Sequence, residues 1–360
     1  MTRDKKDKKK GGATEADATS SGRRVTLKDV AAAVGVDPSA ISRVVNNDPR
    51  LSVSGETRRR ILATVEEFGY RPSFGARGLR ISRSWTVGFI LPSLSNPMYE
   101  SIVRGVETAA EKHGYNVMVA SQIEGRSADA IARLLQEGRV DGLLVASGLL
   151  DDAFIRQIAT GPGPVITVNR RVQGVLSSVV VDDERASATA VEFLGRLGHR
   201  RLGGIFGPAR IDTSIRRRKG FVMAAKQARL EVTCADCESW SAGDGYRGTL
   251  EILKRSPGVT AIYASTFLMG VGALRAAVEE GRTVPGDISV LSLHDNHMAD
   301  YLSPPLTTIR LPTEQMGAAA VEMLIERRDG KPPEALVIEG EGELIVRKST
   351  SPARLRRNNA

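Results

Sequence analysis

The chain has 360 residues, 41% of them apolar and 26% charged, with a formal net charge of +9 and two cysteines. That apolar content suffices for well-packed cores in two or three domains, and no apolar run approaches the roughly 20 residues of a membrane span. The start, MTRDKKDKKKGGATEADATSSG, lacks the apolar core of a secretion signal, so the sequence predicts a soluble cytoplasmic protein with no membrane partner.

Residues 1–22 carry too few apolar side chains to offset the entropy of ordering and are expected to form a disordered basic tail. The stretch TLKDVAAAVGVDPSAISRVVN, residues 26–46, follows. Thr26 with Asp29 three residues on makes a capping box, and Leu27, Val30, Ala31 and Val34 recur at helical spacing, which predicts a helix from Leu27 to Val34. Gly35 tolerates the positive φ of a sharp turn. In a second helix Asp37 caps, Pro38 takes the first position where a missing N–H is harmless, and Ile41, Val44 and Val45 form the apolar stripe. Ser39, Ser42, Arg43 and Asn46 are left facing outward. Short hydrogen-bonding groups with an arginine suit the major groove of double-stranded DNA. The alternative is an ordinary amphipathic helix pair.

A third helix is expected from about Glu56 to Phe68, opened by Ser54-Gly-Glu-Thr, with Ile61, Leu62, Val65 and Phe68 completing a three-helix core. Then RPSFGARGLRISRS, residues 71–84, places four arginines in a segment whose Gly75 and Gly78 disfavour a free helix. Charge follows the same division. Residues 1–84 hold 18 Lys and Arg against 10 Asp and Glu, residues 346–360 hold five basic residues and no acid, and the stretch between holds 28 against 32. A basic head on a mildly acidic body attracts phosphates and predicts salt-sensitive DNA affinity.

From residue 85 the pattern changes. WTVGFIL, YNVMVAS, GLLVAS and PVITVNR are apolar strands separated by helical stretches, and a second such set runs from VVVDDERASATAVEFLGRLGHRRLGGIFGP to ISVLSLHD. The alternation predicts two doubly wound α/β lobes facing a cleft, with ligand bound beyond the strand ends. Gly270-Val-Gly272 lies inside a helical pattern and is attributed to packing. Cys234 and Cys237 have C-x-x-C spacing but no further ligands for zinc, and are taken as two ordinary thiols.

VTLKDVAAAVGV with SAISRVVNN, VSGETRRRI with EFGYRP, and the ARGL segment together resemble the lactose/purine repressor (LacI/GalR-type) family of bacterial transcriptional regulators, and the similarity covers nearly the whole chain. The resemblance implies an all-α helix-turn-helix headpiece at residues 23–70 and a hinge at 71–84. It implies an effector-binding and dimerisation domain at 85–348 built like a periplasmic binding protein, and a basic tail at 349–360. Lobe 1 is expected at about 85–181 and 297–332, lobe 2 at about 182–295 and 336–348. Thr26, Pro38, Ser39, Ser42, Arg43, Asn46, Arg58, Ala76 and Leu79 would contact DNA, with Leu79 wedging the minor groove. Tyr99, Thr213, Arg217, Trp240, Thr266 and Asp295 would bind the effector, a sugar. Two departures stand out. Ser265-Thr266-Phe267 replaces the usual Ala-Asn-Asp, and LHDN replaces an aromatic-Asp pair, putting His294 beside Asp295 as a pH-sensitive contact.

The expected activity is a ligand-responsive repressor of carbohydrate uptake or catabolism genes, binding a pseudo-palindromic operator as a homodimer or tetramer. No cofactor or metal is called for beyond the small-molecule effector. A solute-binding transport component would share the lobes but would need a secretion signal. An enzyme would need a catalytic constellation, for which Asp295 with His294 is the pair to test.

Overall fold

A computed structural model of the chain describes residues 25–45, 48, 51–70, 83–121, 128–146, 148 and 150–354. They fall in two compact units that divide after Arg80.

In the first unit α1 (Leu27–Val34), α2 (Pro38–Val45) and α3 (Gly55–Glu67) enclose a core of Val30, Ala31, Val34, Ile41, Val44 and Ile61. The predicted signals act as expected. The Thr26 N–H donates to the Asp29 carboxylate at 2.7 Å, Gly35 turns at φ +75°, and the Ser39 N–H donates to Asp37 at 2.7 Å. Arg60 adds a clamp that the sequence did not announce, donating to the carbonyl of Val34 at 2.9 Å and so capping the end of α1. The core assignment for α3 needs correction. Ile61 is buried and Val65 packs beside it, but Leu62 and Phe68 are 46% and 37% exposed. Two eight-residue helices offer a seat only wide enough for the i, i+4 pair on one side of α3.

The second unit contains two six-stranded sheets. The first has the order β11-β5-β4-β3-β1-β2, from β1 (Thr86–Leu91), β2 (Asn116–Ser121), β3 (Gly142–Val145), β4 (Val165–Val168), β5 (Ser178–Val181) and β11 (Ala335–Ile338). The second has the order β12-β10-β9-β8-β6-β7, from β6 (Arg201–Phe206), β7 (Glu231–Asp236), β8 (Ala261–Ala264), β9 (Ser289–Leu293), β10 (Thr307–Arg310) and β12 (Glu343–Ile345). Every pairing between these strands is parallel except β10 with β12. Their buried runs need cover on both faces. Helices α4 (Met98–Lys112), α5 (Ala128–Gln136), α6 (Asp152–Ala159) and α11 (Thr313–Arg328) belong to the first lobe. Helices α7 (Asp183–Arg196), α8 (Asp212–Gln227), α9 (Ala242–Arg255) and α10 (Phe267–Glu279) belong to the second.

Helix pairs approach closely where glycine permits. A methyl group at Gly105 would collide with the Glu314 carbonyl across α4 and α11, and one at Gly272 with the Ala242 carbonyl across α9 and α10. Gly270 likewise abuts Ser292, so the Gly-Val-Gly run is a packing device.

The lobe boundaries differ from expectation near the C-terminal end. The 3-10 turn His297–Tyr301 precedes β10, which pairs with β9 in the second sheet, and β11 pairs with β5 in the first. The chain therefore returns to the first lobe at about 311–313 and leaves again after 338, because LTTIR finds its partner in the adjacent β9. Residues 349–353 are tied to the second lobe and do not form a free tail. The Ser349 hydroxyl donates to the Val290 carbonyl at 2.6 Å, and the Ala353 N–H donates to Leu197 at 2.8 Å. Among the described residues no helix is long and apolar enough to cross a membrane.

Candidate functional site

The headpiece carries one candidate surface. Ser39 and Arg43, four residues apart on α2, are exposed on one side with half-buried Ser42 between them, while Ile41 and Val44 hold the opposite side in the core. Pro38 begins the helix half-buried, Thr26 is exposed at the start of α1, and Arg58 lies half-buried in the first half of α3. The starts of α1 and α2 are capped by the carboxylates of Asp29 and Asp37. Asn46, Ala76 and Leu79 lie outside the described residues.

The second site is a cavity of about 240 Å³ between the two lobes. It lies beyond the C-terminal strand ends and is reached from the first lobe by Tyr99, Asn169 and Arg170, and from the second by Thr213, Arg217, Trp240 and Thr266. Five of the six predicted effector residues thus converge here. Thr213 donates its hydroxyl to the Asn169 carbonyl at 2.5 Å, tying the two lobes together. Arg217 is 1% exposed; its Nε donates to Asp183 at 2.7 Å and its Nη1 to the Ser265 carbonyl at 2.9 Å. Asp183 is fully buried and also holds Arg216. Thr266 spends its hydroxyl oxygen on the Met269 N–H at 3.3 Å, capping α10. This is why the Ser-Thr-Phe sequence is compatible with the site. Ser265 contributes its main chain and Thr266 starts the helix.

Trp240 spans the cleft. Its ring lies over Gly207 at the end of β6 and within 3.3 Å of the space a side chain on Gly148 would fill. Neither position tolerates a Cβ without displacing the indole. The indole Nε1, the Arg217 Nη2 and the Asn169 Oδ1 are buried without hydrogen-bond partners. Leaving three such groups unpaired is unfavourable, so the cavity is chemically prepared for a polar ligand with both acceptors and a donor. Met98, Ile211 and Leu268 supply apolar wall beside the indole.

Asp295 does not belong to this cavity. It accepts from Thr308 at 2.6 Å, Arg310 at 2.8 Å and Arg347 at 2.9 Å, and lines a different depression beside Glu314. Burial pushes its carboxyl up, but these three donors outweigh burial and hold it below the ordinary carboxylate range. Among the described residues no carboxylate lines the effector cavity. His294, at φ +65°, is buried instead with its Nε2 unpartnered, and burial followed by the Arg217 charge pushes its pKa well below the usual value. The lowered pKa disfavours the charged imidazolium, and His294 lines the depression with Asp295 and not the effector cavity, so the expected pH-sensitive contact is not among the residues of that cavity. With Asp295 already occupied by arginines, the pair has no free acid and base to offer catalysis.

Residues 26–73 match the model for bacterial regulatory proteins of the lacI family, and residues 191–350 match a periplasmic binding protein-like domain. The HTH-type transcriptional regulator CelR of Thermobifida fusca is 31% identical over 91% of this chain and 98% of its own. The chain belongs to the LacI family.

As a LacI-family transcriptional regulator it has relatives that regulate transcription rather than catalyse reactions. The lac repressor dimer bound to operator and the anti-inducer ONPF superposes with a TM-score of 0.79 at 27% identity, covering 91% of this chain and all of that one. A CelR–cellobiose complex has a TM-score of 0.68 at 31% identity, with the same coverage of both chains. Asn169 and Arg170 also line the cavity, where the run PVITVNR by itself predicts only a strand. Their signal was a polar pair at the carboxyl end of an apolar run, where α/β folds place ligands. Asp183 had no such signal, because its role depends on α8 lying across α7.

Proposed function

We propose that this regulator is a sugar-responsive repressor whose effector binds between the lobes under Trp240 and against Arg217. The observation that carries this reading is the cavity in which the indole N–H, a guanidinium nitrogen and an amide oxygen are all buried and unpaired. A pyranose offers hydroxyls that both donate and accept, and an apolar face for the indole. The relative crystallised with cellobiose supports a carbohydrate, and the lac repressor dimer on its operator supports two headpieces acting as one unit. The headpieces of a cytoplasmic homodimer then read two half-sites of a pseudo-palindrome through Ser39, Ser42, Arg43 and Asn46. The 71–84 hinge places Leu79 in the minor groove, and lobe closure on the effector alters hinge spacing. The target genes on this reading serve carbohydrate uptake or catabolism.

The test uses the full chain. An operator is selected from random duplexes, and its affinity is measured by fluorescence anisotropy with and without cellobiose, maltose and monosaccharides. A sugar that raises the melting temperature and changes operator affinity by about tenfold is expected. If no sugar does either, the carbohydrate reading is lost. If Leu79→Ala leaves operator affinity unchanged, the hinge role is lost.

A further inference from the structure

A second pocket lies at the other end of the first lobe. It has a volume of about 630 Å³ and is lined by Arg83, Arg156, Arg327 and Arg328, with no carboxylate in its wall among the described residues. It opens at the N-terminal ends of β4 and β5, beside Val165 and Ser177. Asn169 and Arg170 of the effector cavity sit past the opposite end of β4, roughly 13 Å away at the rise of a strand. The two cavities share no lining residue.

The charges in this pocket are only partly compensated. Arg83 pairs with Asp329 at 2.8 Å and Arg328 with Asp141 at 3.4 Å. Arg156 and Arg327 have no carboxylate partner among the described residues. Arg156 donates to the Gln173 carbonyl at 3.3 Å and Arg327 to the Lys331 carbonyl at 2.6 Å, and Arg327 Nε is buried without an acceptor. Arg83 and Arg328 are balanced by carboxylates, whereas Arg156 and Arg327 line the same concavity with carbonyl acceptors only, so an anion bound there would offset their charge. Guanidinium forks match the oxygens of a phosphate in both geometry and charge. We propose that this pocket is a second ligand site, separate from the effector cavity, that takes a small phosphorylated metabolite through Arg156 and Arg327. The volume exceeds that of a bare phosphate, leaving room for an organic portion against Val175, Leu176 and Pro333.

The full chain is titrated calorimetrically with inorganic phosphate and with pyrophosphate, against sodium chloride at equal ionic strength. Saturable heat is expected for both phosphates and none for chloride. Arg156→Gln, at an exposed position where folding is not at risk, is expected to weaken binding at least about fivefold. Adding Arg327→Gln should abolish it, while Trp240→Ala leaves it unchanged. Equal affinity in Arg156→Gln, heat matched by chloride, or loss in Trp240→Ala would overturn the proposal. So would a duplex-DNA arm in which Arg156→Gln weakens DNA binding while the wild-type chain ignores both free phosphates, since the phosphate would then be nucleic acid.

Discussion

Arg217 and Asp183 meet at 2.7 Å with both side chains sealed from solvent, and the same carboxylate holds Arg216. One acid thereby holds an arginine from α8 in the wall of the effector cavity, and the Nη2 of that arginine is buried without a hydrogen-bond partner. Removing one partner of a buried ion pair leaves a charge stranded, which costs more than the pair itself contributes. Asp183→Asn is therefore expected to destabilise the effector domain by about 3 kcal/mol and to weaken effector binding. Urea unfolding of the variant checks the first part. A midpoint equal to that of the unaltered chain would contradict it.

Trp240 contributes the aromatic wall, with its Nε1 edge against Gly207 and its opposite ring edge against Gly148. Trp240→Ala should weaken effector affinity by about tenfold or more, through lost stacking and an enlarged cavity. Operator affinity measured without effector should not change. A titration with unaltered effector affinity would remove the indole from the site.

Asp295 is predicted to serve stability instead of ligand binding. Its folded carboxyl titrates below its unfolded value, so the stability it contributes is present above the ordinary carboxylate range and is lost as pH falls through the folded value. Asp295→Asn should flatten the acid limb of a stability–pH curve measured by thermal melting below about pH 4. Effector affinity at neutral pH should remain within about twofold, because the carboxylate points to Arg310 and Arg347. A loss of about tenfold would restore it to the binding site.

His294 carries the opposite expectation from a pH sensor. Burial and then Arg217 depress its folded pKa, so its contribution to stability is complete above the unfolded value of about 6.5 and declines as pH drops below that. His199, buried against Thr260 and Ser289 and also depressed chiefly by burial, shifts in the same direction. His294→Gln should reduce the stability lost between pH 7.5 and 5, and effector affinity should show no inflection across that range. A histidine NMR titration placing His294 near its ordinary value would refute this.

Arg43 stands exposed on α2 with Ser39 one turn away. Arg43→Ala should lower operator affinity by about tenfold, within the 1–3 kcal/mol of a bidentate base contact. It should leave effector binding and melting temperature unaltered. Competition with unrelated duplex distinguishes loss of specificity from general loss of charge. A uniform drop across sequences would assign Arg43 to phosphate contact.

Local signals were legible from the chain because they act over three or four residues. The Thr26–Asp29 box, the Gly35 turn and the Pro38 start each needed only their neighbours, and helices α1 and α2 follow from them directly. The alternation of apolar runs and amphipathic stretches from residue 85 likewise determined two α/β lobes, since strands buried on both faces must be covered by helices. Tyr99, Thr213, Arg217, Trp240 and Thr266 were identifiable through family resemblance and meet in one cavity.

What the sequence by itself determined, then, was the inventory of elements, the family and most of the cleft residues. Only the tertiary structure decided that Asp295 turns to Arg347 while His294 is buried near Arg217. These adjacent residues lie just past the end of β9, where His294 adopts φ +65° and the regular strand alternation no longer predicts which way each side chain points. It also decided that β11 returns to the first sheet, and that Asp183 holds Arg217. Each of these depends on partners tens of residues away in sequence, a relationship that spacing along the chain does not encode.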